Sequence, residues 1–403
     1  MTKKALIFLF CACSFLVFAK APSIFYLTWV EDPTTSMVIQ WHLKGKTVPE
    51  STLWYKAEGE SQWQSAISKY LKLSGSDTYV HSVLLSALMP ATEYLFRFDL
   101  SDTIYRFRTL SGDLEKPLRI AIGGDVYLSK ELAKKMNRRV VRADPDLVVV
   151  GGDIAYSESA LKWFKGKRWE LRRWRHFLKL WTETMITKEG RVIPLLPVIG
   201  NHDVKRVGSN SQEKASLFFE LFAHPCQFCS YRVFDVGPQL SLFLLDTGHA
   251  LPIGGVQAAW LEEELKKREE RPFLLAAYHI AAFPSVYNFS SKTAVEIRKL
   301  WVPLFEKYGV YAAFEHHNHA YKMTHKIKGE KVDAEGVLYL GDGSWGVFPR
   351  KPRSPESSWY LAKSAQKNAF WLMSVQNQEG VCSCLLESFD SKGRRIDRVV
   401  SSK

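Results

Sequence analysis

An all-β unit followed by a larger α/β unit is the architecture that this sequence predicts. Three observations carry the prediction. From about residue 23 to residue 110, short runs such as 37–42 and 79–85 alternate apolar and polar residues between turn residues, the period-two pattern of half-buried strands. Beyond residue 117, five apolar, β-branched-rich runs at 118–122, 147–150, 195–199, 273–277 and 310–314 have the length and flanking glycines of buried strands. Helical periodicity alternates with them. Residues 129–142 form an amphipathic pattern with Ser129 as its N-cap, and 256–268 place Trp260, Leu261 and Leu265 on one face. Strands alternating with helices point to a mixed α/β domain over 118–403. Between the units, residues 111–117 are polar, contain Gly112 and end in Pro117, as a linker does.

Composition places the chain among folded globular proteins, with 403 residues, 46% hydrophobic and 24% charged. The formal net charge of +13 draws phosphorylated substrates toward a cationic site and equally serves solubility. Lys3 and Lys4 precede an apolar stretch over 5–19 that ends in the small residues Val17 and Ala19. That is the layout of a secretory signal peptide over 1–19, too short to span a bilayer comfortably. The expectation is an exported protein, secreted or periplasmic, without stable membrane insertion after cleavage. Outside that segment, which holds Cys11 and Cys13, the cysteines form two close pairs, Cys226 with Cys229 and Cys382 with Cys384. An exported chain is expected to use them in one or two disulfides. The densest basic stretch, 162–179, interleaves Trp163, Trp169 and Trp174 with Lys and Arg. Its apolar residues recur at helical spacing, so a half-buried helix is expected there rather than a nucleic-acid surface.

The chemistry lies in short phrases at the ends of the five buried runs: Gly-Gly-Asp125, Gly-Gly-Asp153-Ile-Ala-Tyr156, Gly-Asn201-His202-Asp203, Tyr-His279 and His317-Asn-His319. Any one of them is a weak signal. Together, at the carboxyl ends of strands, they converge on one edge of a sheet, where open α/β folds hold their ligands. Two aspartates, a tyrosine, an asparagine and three histidines suffice for two adjacent metal ions, a pairing that recurs in phosphate ester hydrolysis. Asp153 suits a bridging role, because its two oxygens can face two cations. Tyr156 binds only as a phenolate, which a strong Lewis acid such as Fe³⁺ favours. His317 and His319 alternate along the chain, so they need a bent loop to serve both ions.

These phrases identify a resemblance to the purple acid phosphatases within the calcineurin-like metallophosphoesterases. The resemblance rests on Asp153 with Tyr156, on Asn201-His202-Asp203, on His279 before a small apolar segment, and on His317 and His319 followed by Ala320 and Tyr321. Residues 88–94, Leu-Met-Pro-Ala-Thr-Glu-Tyr, further resemble the tyrosine corner of a fibronectin type III-like sandwich. The resemblance implies such a sandwich over 23–110 and a catalytic domain of two packed mixed sheets flanked by helices. It implies that Asp125, Asp153, Tyr156 and His319 hold a ferric ion, and that Asp153, Asn201, His279 and His317 hold Zn²⁺, Fe²⁺ or Mn²⁺. Charge transfer from the phenolate would colour such a protein purple. A metal-bound hydroxide would attack phosphorus in line, with His202 protonating the leaving alcohol or holding the phosphate. The implied substrates are small phosphomonoesters, hydrolysed best at acidic pH.

Two phrases depart from the family pattern. Tyr127 stands two residues after Asp125, where the branch has glycine, and His316, preceded by Glu315, replaces the glycine before His317. Either residue is a candidate to line the substrate pocket or to crowd the loop. Two competing readings follow. One is a phosphodiesterase or nucleotide pyrophosphatase on the same scaffold, and the other is a non-catalytic exported binding protein with a degenerate site.

Overall fold

The computed structural model describes residues 21–403 apart from 48–49, 100, 159–166, 206–210 and 342, and of Lys167 the backbone only. The expected signal segment over 1–19 and Trp163 lie outside the described residues.

The alternating runs of the first unit form β1 (Phe25–Thr28), β2 (Met37–Lys44), β3 (Thr52–Ala57), β4 (Gln64–Ile67), β5 (Lys69–Lys72), β6 (Thr78–Leu85), β7 (Glu93–Phe98) and β8 (Tyr105–Arg108). They pair into two four-stranded sheets, in the orders β1-β2-β6-β5 and β4-β3-β7-β8. The facing sides bury Trp41, Leu53, Phe96, Phe98 and Phe107, so hydrophobic burial holds the two sheets together. The Met89 N–H donates to the Tyr94 hydroxyl at 2.9 Å, the bond back to upstream backbone that a tyrosine corner requires. The unit is the expected fibronectin type III-like sandwich.

The second unit begins with β9 (Leu118–Gly123), α1 (Lys130–Arg142), β10 (Leu147–Gly151), α2 (Lys167–Thr184), β11 (Leu195–Val198), α3 (Ser211–Lys214) and α4 (Ser216–Leu221). It continues with β12 (Arg232–Val236), β13 (Leu240–Leu245), α5 (Val256–Lys266), β14 (Phe273–Ile280), α6 (Lys292–Leu300), α7 (Val302–Lys307) and β15 (Ala312–His316). It closes with β16 (Tyr321–Lys328), β17 (Lys331–Val332), β18 (Val337–Gly341), β19 (Leu361–Ala365), β20 (Ala369–Gln378), β21 (Val381–Asp390) and β22 (Arg395–Ser402).

Two sheets result, one ordered β11-β10-β9-β20-β21-β22 and the other β12-β13-β14-β15-β18-β16-β17, with β19 beside β16. In the first, β9, β10 and β11 run parallel and β20 joins β9 antiparallel. In the second, β13, β14, β15 and β18 run parallel. Inner faces meet through Ile120, Val149, Val198, Leu244, Ala277 and Phe314. The outer face of the first sheet packs on α1 and α2 through Val148, Met136, Val140 and Trp181. That of the second packs on α5 to α7 through Ala276, Leu261, Ile297 and Phe305. Burial on both faces is why these strands read as continuous apolar runs.

The Ser129 side chain caps α1 by accepting the Leu132 N–H, and α2 turns Trp174, Phe177 and Trp181 into the core. Trp174 is therefore a packing residue rather than a platform for bases. Of the two cysteine pairs, Cys226 and Cys229 are disulfide-bonded, while Cys382 and Cys384 are free and buried. The latter pair sits two apart on β21. Residues so placed are about 6.6 Å apart and point the same way, which keeps their sulfurs from meeting.

Candidate metal centre

The carboxyl ends of β9, β10, β11, β14 and β15 meet at one edge of the two sheets. Asp125 follows β9, Asp153 and Tyr156 follow β10, Asn201 and His202 follow β11, His279 lies within β14 near its end, and His317 and His319 follow β15. All of the predicted site residues therefore reach a single region. His279 does so from inside a strand that runs three residues longer than the apolar run suggested.

Asp125 and Asp153 are wholly buried. The Tyr156 hydroxyl donates to Asp125 Oδ1 at 2.7 Å and lies 3.0 Å from His319 Nε2, which is itself 2.9 Å from the same Oδ1. On the other side, His279 Nε2 lies 3.0 Å from Asn201 Oδ1 and 3.3 Å from Asp153 Oδ1. Its Nδ1 faces the Gly151 carbonyl at 3.0 Å, a contact that orients the ring and fixes its tautomer. Ligand-type atoms of Asp153, His279 and His317 all lie within 4.8 Å of one another. Asp125, Tyr156 and His319 thus form one cluster, while Asn201, His279 and His317 form a second, with Asp153 beside both.

The backbone is strained where these side chains converge. Asp125, Asp153, Tyr156, His317 and His319 all have positive φ, between 50° and 70°, a region that costs non-glycine residues energy and clusters at functional sites. The Asn318 N–H bonds back to the His316 carbonyl at 2.8 Å, the tight bend that aims His317 and His319 at the same region. Gly200 is needed by close approach, because a Cβ there would lie 2.1 Å from the Asp153 nitrogen.

Charge and donor chemistry fit a cation. Burial alone would raise the Asp153 pKa, but the adjacent His279 and His202 outweigh it and hold the carboxyl below the usual range. Burial likewise disfavours protonated His279, yet Asp153 and Asp125 push that ring up to about 9, so the field here favours positive charge. Burial and the Asp125 and Asp153 charges put the Tyr156 phenol well above its ordinary pKa, leaving ionisation to require a strong positive neighbour. Asp153 Oδ2 and His317 Nδ1 are buried without a hydrogen-bond partner, at a cost that a coordinated ion removes.

The two departures from the family pattern are both buried. The His316 ring, 2% exposed, lies against Gly151, where a Cβ would come within 1.9 Å of it. Tyr127, also buried, packs against Phe177, with the Arg173 guanidinium over its ring. Both side chains are thus packed among the described residues rather than exposed. Sequence reasoning missed several other neighbours. His249 sits edge-on to His279 at 5.6 Å, Tyr287 stacks on His317 at 4.7 Å, and Arg350 lies 5.1 Å over Tyr287. Asn318 fixes that wall by accepting the Val286 and Tyr287 N–H groups at 3.1 and 3.3 Å. No periodicity or motif marks these residues, because each contact joins distant segments.

Comparison with known proteins places both units. Residues 22–109 match the purple acid phosphatase N-terminal domain and residues 118–321 match the calcineurin-like phosphoesterases. The chain is 25% identical to purple acid phosphatase 15 of Arabidopsis thaliana over 298 residues, covering 66% of this chain and 53% of that protein. It thus spans about half the length of that relative. It is 24% identical to acid phosphatase type 7 of Mus musculus over 386 residues, covering 82% of this chain and 81% of that one. The solved structure of purple acid phosphatase PPD1 from yellow lupin seeds has the same fold. Its TM-score is 0.76 at 16% identity, over 94% of this chain and 74% of that one.

Proposed function

The chain belongs to the purple acid phosphatase branch of the calcineurin-like phosphoesterases, and from that premise we propose that it is an exported phosphoesterase acting on phosphomonoesters through a dinuclear metal centre. The observation that carries this reading is the position of Asp153. Its Oδ1 lies 3.3 Å from His279 Nε2 and its buried Oδ2 has no partner, as a bridging carboxylate requires. Asp125, Tyr156 and His319 with Asp153 would hold a ferric ion; Asn201, His279 and His317 with Asp153 would hold Zn²⁺, Fe²⁺ or Mn²⁺. When bound, the pair supplies an ionised water as nucleophile at acidic pH and neutralises charge on the phosphoryl oxygens.

His202 is the residue that we assign to proton transfer. Its Nδ1 faces the Glu158 carbonyl at 3.3 Å and its backbone N–H donates to Asp153 Oδ1 at 2.7 Å. Its ring stacks on Tyr156 at 4.8 Å. Nε2 is 3.9 Å from Asp153 Oδ2, too long for a hydrogen bond; with Nδ1–H on the Glu158 carbonyl, the doubly protonated ring would give its Nε2 proton to the leaving alkoxide oxygen and end as the neutral Nδ1–H form. Residues 1–19 would direct export, 23–110 would form the sandwich domain, 111–117 the linker, and 118–403 the catalytic domain. Among the described residues no helix is long and apolar enough to cross a membrane.

The test is a colorimetric phosphomonoester assay with metal analysis, on the unaltered protein and on Asp153→Asn. Turnover with two metal equivalents in the former, and loss of both turnover and at least one equivalent in the latter, is expected. Full activity in Asp153→Asn overturns the bridging assignment. No turnover in a fully metal-loaded protein favours the binding-protein reading.

A further inference from the structure

We propose that the cleft between the sandwich domain and α2 binds a single amphiphilic anion, an acyl chain with an acidic head, at a site apart from the metal centre and independent of the phosphoesterase reading. The cleft has a volume of about 980 Å³ and is lined by the residues before β1, the end of β2, the turn between β5 and β6, and one face of α2. A concavity of that size at a junction of domains is what small-ligand sites occupy, at about 300–1,000 Å³. None of the candidate metal ligands lines it. Its floor is apolar: Ile24, Leu73, Trp174 and Leu221 are buried there, with Leu43 and Leu171 half-buried beside them. Its rim is cationic. Arg168, Arg172, Arg175 and Lys179 recur at spacings of four, three and four, so they fall on one face of the helix and span about 16 Å. All four are exposed and line the cleft, together with Lys44 of β2.

Against these five cations the lining holds one carboxylate, Asp77. Among the described residues Lys44, Arg168, Arg172 and Arg175 have no ion pair, and Lys179 reaches only Glu183, at 3.9 Å. The Arg175 charge is felt at His42, whose pKa burial and then that guanidinium lower to about 3. The segments that adjoin the cleft in sequence, 1–20 and 159–166, contain no acidic residue, so neither supplies the complementary charge. A row of unneutralised cations over an apolar floor calls for an occupant that is anionic at one end and apolar along its body. The walls are held in place for it. Thr182 Oγ1 accepts the Phe25 N–H at 3.0 Å and donates to the Phe25 carbonyl at 2.7 Å, which fixes α2 on β1. Glu220 accepts the Ser74 N–H at 2.8 Å, which fixes the turn between β5 and β6. A walled, concave site suits one acyl chain rather than the flat surface of a bilayer.

Titration calorimetry on the full protein tests this with decanoate, octanoate, decanol and acetate. One equivalent of decanoate is expected to bind, about tenfold more tightly than octanoate for the two methylenes lost, and acetate far more weakly than either. Arg172→Gln combined with Arg175→Gln is expected to weaken decanoate about tenfold, as the loss of a charge-assisted pair does, and to leave decanol unchanged. Added salt should separate decanoate from decanol in the same direction on the unaltered protein, a readout that needs no variant. If neither the substitutions nor salt distinguishes the two, the cations have no part in binding and the proposal falls. Acetate binding as tightly as decanoate leaves a plain anion site and overturns the acyl chain. Absence of saturable decanoate binding overturns the site itself. Flotation with phosphatidylglycerol vesicles in the absence of decanoate binding assigns the row of cations to a membrane surface and overturns the single-chain reading. Because decanoate carries no phosphate, none of these results bears on the phosphoesterase reading.

Discussion

The Asp203 carboxylate accepts the Ile154 backbone N–H at 2.9 Å through Oδ1 and the Gly200 N–H at 3.0 Å through Oδ2, tying the loop after β10 to the loop after β11. Ala155 adds a third donor at 3.3 Å. Asp203 thus sets the distance between Asp153 and Asn201 through backbone hydrogen bonds.

Replacing Asp203 by alanine is expected to free both loops and strand buried N–H groups. Unfolding free energy should fall by about 1–3 kcal/mol, and affinity for the second metal by about 10–100-fold. Chemical denaturation and metal titration check the two effects separately. Unchanged metal affinity would show that the loops hold their spacing unaided.

What the sequence disclosed depended on how local each signal was. Asp153 and Tyr156, or His317 and His319, announce themselves because they share a phrase and follow an apolar run, and strand ends bring such phrases together by topology alone. The tyrosine corner was legible for the same reason, as residues 88–94 make their bond within one turn. Tyr287 and Arg350 were not, since 63 residues separate them and neither side chain alone implies a stack. The unbonded state of Cys382 and Cys384 was hidden until β21 fixed them as alternate residues on one strand.

The Tyr156 assignment predicts a colour. A phenol that burial and the Asp125 and Asp153 charges hold well above its ordinary pKa ionises only against a strongly Lewis-acidic ion. Iron-loaded protein is expected to show a visible charge-transfer band, and Tyr156→Phe to lose it. A band that survives the substitution would assign the phenolate elsewhere.

Beneath His317 lies a buried ion pair, Glu315 with Lys322, both about 1% exposed. Glu315 also accepts from the Tyr278 hydroxyl and the Ala282 N–H, each at 2.7 Å. Lys322→Met leaves the carboxylate without its counter-charge and is expected to cost about 3–5 kcal/mol. Adding Glu315→Gln removes the orphaned charge, so the double variant should be more stable than the single one. Urea unfolding of all three proteins checks the order, and a double variant no more stable than Lys322→Met refutes the account.

His224 makes stability depend on pH. Burial, then the Arg232 charge, lowers its pKa to about 3, with Phe218 and Phe219 against the ring at 5.0 and 5.2 Å. Between about pH 6.5 and 3 the unfolded chain binds a proton here that the folded chain refuses, so folded stability falls as pH drops through that window. The slope from this residue is at most about 1.4 kcal/mol per pH unit. His224→Phe keeps a ring in place and removes the titration, so its unfolding free energy should decline less steeply between pH 6 and 4, even if its value at pH 7 is lower. Identical slopes in the two proteins, read from urea midpoints at each pH, would remove His224 from the acid response.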